Sequence, residues 1–193
     1  MAAPPTKLIS YEDSLELPED SLEEIVHGEC RRMPPATAHH GALLHTLQKI
    51  LTSQLDPARY EVLATGFGLG IERTPTFTCR IPDLTVYSIE SLNEDPDNPY
   101  LWRPPELLVE CLSPSNRKGS VWELLADYER AAVPEVWLLQ PVERTLTTYV
   151  LTGNSLVEAR RTSSGPISPI RLPEAKVEIE DLWNAFGRRL RRV

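Results

Sequence analysis

Apolar positions recur along this chain with two different periods, and the change from one to the other marks out the elements. Glu24-Ile25-Val26-His27-Gly28-Glu29-Cys30-Arg31 reads as two short strands folded about Gly28 and ended by Pro34-Pro35. From Thr37 the spacing turns helical: Leu43, Leu47, Ile50 or Leu51, and Leu55 share a face until Asp56-Pro57 stops them. Val62 to Ile71 and Thr76 to Ile89 predict two long strands paired antiparallel. Residues 93–105 carry four prolines with Asp and Asn, which predicts a surface connection. Leu107 to Leu112 is an apolar strand broken by one charge, Glu110. A helix from about Ser120 follows, with Val121, Leu124, Leu125, Tyr128 and Ala132 on one side, and it stops at Val133-Pro134.

Glu135 to Leu139 suits a buried strand, and Thr145–Thr152 with Leu156–Thr162 form a hairpin about Gly153-Asn154. Ile179 to Phe186 reads as a terminal helix. The strand, helix, strand order over residues 107–140 is a crossover, so those two strands should be parallel. The fold class expected is α/β, in the α+β sense of a mixed sheet with flanking helices. Residues 1–21, rich in Pro, Glu and Ser, form an N-terminal arm with at most a short helix near Ser14-Leu15.

Composition narrows this picture. A chain of 193 residues with 41% apolar content can bury one core, so residues 1–193 are expected to be a single domain. No apolar run reaches the roughly 20 residues that span a bilayer, and the first residues lack the pattern of a signal peptide. A cytoplasmic location without membrane contact is expected. Cys30, Cys79 and Cys111 are odd in number and widely spaced, which suits reduced packing residues. A net charge of −8 argues against holding nucleic acid by bulk electrostatics. It leaves room for a local basic groove, with clusters at Arg31-Arg32, Arg117-Lys118, Arg160-Arg161 and the Arg-rich end.

Candidate chemistry starts at Glu110. Alternation puts Leu108, Glu110 and Leu112 on one strand face and Leu107, Val109 and Cys111 on the other, and neither face looks solvated. A carboxylate there needs a cation, and a divalent metal fits if Asp83, in a strand opening Ile81-Pro82-Asp83, lies close. The competing reading makes Glu110 half of an ion pair with Arg80 or Arg103, and Asp83 a strand-entry residue bonded to backbone.

Taken in order, Glu24-Ile25-Val26-His27-Gly28, Pro34-Pro35 with His39, Pro82-Asp83-Leu84, Val109 to Ser115, and Tyr128 with Val133-Pro134-Glu135-Val136-Trp137 resemble the Uma-type restriction endonuclease family. That family is a branch of the PD-(D/E)XK nuclease superfamily. The resemblance covers residues 22–151 as an endonuclease-like core and leaves a C-terminal hairpin and helix, 155–193, beyond it. It implies a restriction endonuclease-like fold and hydrolysis of DNA phosphodiester bonds. It further implies Mg²⁺ or Mn²⁺ held by Asp83 and Glu110, and commonly a homodimer. Glu24 matches an acidic position that can touch the metal through water. One departure matters: the superfamily lysine two residues after Glu110 is Leu112, and the Uma-type lysine four residues before Tyr128 is Leu124. Ser120 and Gln140 stand where acidic residues are usual.

Lys118, or Arg117, is the candidate to supply the missing cation, making Asp83, Glu110 and Lys118 the expected catalytic set and Asp83, Glu110 and Glu24 the expected metal contacts. The alternative is an inactive nuclease-fold module that binds nucleic acid or a protein partner. Other patterns carry less. His39 could assist a phosphate, but a first-turn histidine is usually a surface residue. His27, Cys30, His39 and His40 lack paired zinc-ligand spacing. Gly66-Phe67-Gly68-Leu69-Gly70 lacks the Lys-Ser/Thr ending of a phosphate loop and reads as flexible strand or bulge.

Overall fold

The computed structural model describes residues 8–18, 23–33, 37–64, 66–112 and 118–190, the side chains of Lys118 and of residues 185–190 apart. Pro34-Pro35, Ser113-Pro114-Ser115 and Arg117, singled out in the sequence, lie outside the described residues.

The chain enters through α1 (Tyr11–Ser14), a single turn closed by a capping box between Ser10 and Asp13. β1 (Glu23–Val26) and β2 (Glu29–Arg32) form the expected antiparallel hairpin. Its two turn residues, His27 at φ 53° and Gly28 at φ 79°, are both left-handed, as a tight hairpin requires. α2 (Ala38–Thr52) starts where Thr37 accepts the His40 N–H and buries Leu43, Leu44, Leu47 and Leu51 along one stripe.

Each of the two long strands expected next is in fact two. β3 (Tyr60–Ala64) and β4 (Gly68–Glu72) are separated around Gly66, which has φ 105°. β5 (Thr78–Arg80) and β6 (Leu84–Ser88) are separated by Ile81-Pro82-Asp83, where proline has no N–H to give a ladder. The antiparallel pairing survives, but it is shared between two sheets: β3 pairs with β6 and β4 with β5. Asp83 therefore sits at the junction between sheets and opens β6, rather than lying within a strand begun by Ile81. After α3 (Ile89–Leu92), the proline-rich connection also contains a strand, β7 (Tyr100–Leu101), parallel to β4. This explains the glycine run: a Cβ on Gly68 would stand 2.7 Å from the Tyr100 ring, and one on Gly70 2.6 Å from the Trp102 ring. Gly70→Ala should destabilise the fold by about 1–3 kcal/mol through overpacking. Urea unfolding in a double-mutant cycle should show most of that cost removed in a Trp102→Leu background.

β8 (Leu107–Cys111), α4 (Lys118–Arg130) and β9 (Glu135–Gln140) make the crossover, with β8 and β9 parallel as expected. β10 (Thr145–Thr152) and β11 (Ser155–Thr162) form the hairpin. β12 (Pro166–Ile167), β13 (Val177–Glu178) and α5 (Ile179–Leu190) complete the chain. One sheet runs β11-β10-β9-β8-β6-β3 and the other β2-β1-β5-β4-β7. Alternate residues of β8 feed two cores, which is why neither face looked solvated. Leu107, Val109 and Cys111 join Leu43, Leu47, Leu182 and Trp183 under α2 and α5. Leu108 joins Leu69, Leu125 and Tyr128 between the large sheet, α4 and β4. The three cysteines are free, Cys79 and Cys111 buried and Cys30 exposed. Among the described residues no helix is long and apolar enough to cross a membrane.

Candidate active site

The break at Pro82 decides where the site forms. Leu84 lies opposite Val109 in the antiparallel pairing of β6 with β8, and one step further that register brings Asp83 to Glu110. Asp83 is buried; its Oδ2 accepts the Cys111 N–H at 2.7 Å, and its Oδ1 lies 3.0 Å from His40 Nε2. The Glu110 and Asp83 carboxyls hydrogen-bond to each other, and the Tyr128 hydroxyl donates to Glu110 Oε1. The residue Glu110 keeps some exposure, but its carboxyl is enclosed.

Electrostatics follow from that enclosure. Loss of solvent, and then the Asp83 charge, push the Glu110 carboxyl well above the usual range; the Tyr128 hydrogen bond opposes this only in part. Burial and the charge of Glu110 raise Tyr128 in turn. The Asp83 hydrogen bond raises His40 against the effect of its own burial. The thiol of Cys111, buried beside both carboxyls, is pushed up to about 12. Two carboxyls thus face each other in a solvent-poor pocket.

Neither arginine suggested as a partner of Glu110 takes that role. Arg103 pairs with Glu94 at 2.5 Å, and Arg80 is the hub of a separate buried network. Its Nε donates to Asp127 Oδ2 at 2.6 Å and its Nη1 to Glu24 Oε2 at 2.9 Å. Burial would lower Arg80, but Glu24 and Asp127 more than offset it and raise it. Glu123 extends the network to Arg31 through contacts of 2.6 and 3.1 Å, and Arg130 closes it on Asp127. These ion pairs tie α4, and with it Tyr128, to β1, β2 and β5. Glu24 also accepts the Ile81 N–H at 3.2 Å, bracing the chain just before Pro82. It lies close enough that its charge is felt by Glu110 and Tyr128.

The lysine positions are apolar in space as in sequence, since Leu112 and Leu124 both pack against the core under α4. Lys118 is the first residue of α4. His39 is exposed, and its neighbour His40 is the histidine that reaches the site. His40 was legible: it lies three, four and seven residues before Leu43, Leu44 and Leu47, on the buried stripe, while His39 is turned a quarter-circle away. Tyr128 read only as a packing residue, because the alternation of β8 does not reveal which helical side chain will cover Glu110. Among the described residues no group of three or more His, Cys, Asp or Glu side chains is placed to hold a metal.

The pair Asp83 and Glu110 nonetheless suits a divalent ion. Both are hard oxygen donors, burial and the Asp83 charge raise the Glu110 carboxyl in a way a cation would offset, and Mg²⁺ accepts one or two carboxylates if water and phosphate complete its shell.

A model of the Uma2 family, described as "Putative restriction endonuclease", matches residues 11–179. A crystal structure of a "putative nuclease belonging to DUF820" from Anabaena variabilis superposes with TM-score 0.76 at 17% identity, covering 92% of this chain and 99% of that one. No curated protein matches the chain. The fold is the mixed α/β, restriction endonuclease-like arrangement expected from the sequence.

Proposed function

This chain belongs to the Uma2 family, and from that footing we propose that it hydrolyses DNA phosphodiester bonds with a divalent cation, Mg²⁺ or Mn²⁺, held by Asp83 and Glu110. The observation that carries the reading is the buried carboxyl pair itself, hydrogen-bonded together with no arginine or lysine against it among the described residues. Two acids so placed are unfavourable unless a proton or a cation is shared between them. A bound divalent ion supplies Lewis-acid polarisation of the phosphate and a lowered pKa for an attacking water. Tyr128 and the Cys111 N–H hold the carboxyl oxygens in place. Glu24, both of whose oxygens are engaged, contributes charge and a contact through water. Lys118 is the candidate to orient the attacking water or balance charge on the phosphoryl oxygens. In this reading cutting both strands calls for a homodimer; Trp122, 63% exposed on α4, is available to such a contact, whereas Trp183 is buried.

A second reading has its own support. With Leu112 and Leu124 both packed against the core, the protein could be a nuclease fold that binds nucleic acid or a protein partner without cutting. Plasmid DNA with Mg²⁺ or Mn²⁺ separates the two. The first reading expects nicking or linearisation that Asp83→Ala abolishes and Lys118→Ala reduces at least about tenfold. DNA binding by the parent protein with no cleavage in either metal selects the second.

A further inference from the structure

Asp83 is held from two sides by donors outside the carboxyl pair. Cys111 N–H takes Oδ2 at 2.7 Å, and His40 Nε2 meets Oδ1 at 3.0 Å. With Asp83 ionised, as a metal ligand must be, its oxygen accepts and Nε2 carries the hydrogen in this contact. The imidazole arrives from α2, on the face of the large sheet opposite α4, whose Tyr128 holds Glu110. Each acid of the pair thus has one side-chain donor, and the two donors come from helices on opposite faces of the sheet. His40 has little freedom to do otherwise. The next turns of its stripe, Leu43, Leu44 and Leu47, are 0–5% exposed and fix the helix against the core.

Resting on the nuclease reading above, we infer that His40 is a positioning residue of the cation site, its Nε2–H holding the Asp83 carboxylate toward Glu110. It contacts neither water nor phosphate in this role. It limits the rotation of Asp83, which would otherwise be held from outside the pair by the Cys111 N–H alone. Donors of this kind behind a metal ligand typically govern 10- to 100-fold in affinity.

The test compares His40→Phe, which keeps ring bulk and removes the donor, with His40→Gln, whose amide N–H reaches to about the same place. Mn²⁺ binding by calorimetry is expected to weaken about 10- to 100-fold in the Phe variant and to recover largely in the Gln variant. In metal-free protein, Asp83→Asn should shift the ¹⁵N signals of the His40 ring and leave those of His27, His39 and His45 in place. Equal loss in both His40 variants would assign the effect to packing and overturn the inference, as would undiminished binding in the Phe variant or His40 signals blind to Asp83→Asn. If the Phe variant does not fold, His40→Asn, too short for the contact, replaces it with the same expectation. Absence of Mn²⁺ binding in the parent protein, with the imidazole contact intact, would instead overturn the metal reading and this role with it.

Discussion

Glu110→Gln should abolish metal-dependent cleavage and at the same time make the metal-free fold more stable at neutral pH than its parent. Both results have one cause. Burial and the charge of Asp83 hold the Glu110 carboxyl well above its ordinary value of 4.5. In the unfolded chain the group ionises near that ordinary value, while in the folded protein it keeps its proton to higher pH. The folded state therefore binds more protons across this window, and its stability falls as pH rises from about 4.5 toward the raised value. Gln has no proton to lose there, so the slope should flatten. Thermal denaturation in a chelator from about pH 4 to 8 measures it directly. Adding Mn²⁺ should restore the parent at neutral pH and do little for the variant, since the cation takes the place of the proton. Loss of a direct ligand should cost more in cleavage than the 10- to 100-fold of an outer donor. A parent melting temperature that climbs across this pH window would dismiss the buried acid pair.

Arg80→Met is expected to be the most destabilising single change. Arg80 is 4% exposed and stands against Asp127, 1% exposed, and Glu24, so its removal leaves Glu24 without its cation and Asp127 with Arg130 alone. Breaking a buried pair from one side typically costs about 3–5 kcal/mol, and in a chain of this size each kcal/mol lowers the melting temperature by about 2–4 °C. Lysine should rescue little, because the guanidinium meets Asp127 and Glu24 from different edges and an ammonium cannot. Urea denaturation of Arg80→Met and Arg80→Lys checks both points. A loss below about 1 kcal/mol in either would mean that water replaces the guanidinium and that the network does not anchor α4.

How far the sequence could be read differs by element. The β1–β2 hairpin, α2, the β8–α4–β9 crossover and the β10–β11 hairpin each carry their own local signal: a period, a cap, a glycine turn or a proline stop. Those segments stand where they were expected. The strands over 62–71 and 76–89 were expected to run unbroken, because period alone does not register a strand that leaves one sheet for another. Only the pairing partners, β6 for β3 and β5 for β4, show that each has two halves. β7 was hidden for a similar reason. Two residues in a proline-rich segment become a strand when β4 offers glycines for Tyr100 and Trp102 to cover.

The site divides along the same line. Asp83 and Glu110 were conspicuous as charges out of keeping with their neighbours, a property of sequence alone. Which partners each acid met was not, and Arg80, named beside Arg103 as a partner of Glu110 only in the competing reading, serves Glu24 and Asp127. His40 and Tyr128 come to the pair from helices on opposite faces of the large sheet, 43 residues before Asp83 and 18 after Glu110. Periodicity and breaker residues act over a turn or two of chain, so the order of elements, the buried stripes and the odd carboxylates were determined by the sequence as written. Contacts between distant segments depend on how two sheets share one bent hairpin and on which helix closes over which face. The partners of the acids were therefore decided only when the tertiary structure formed.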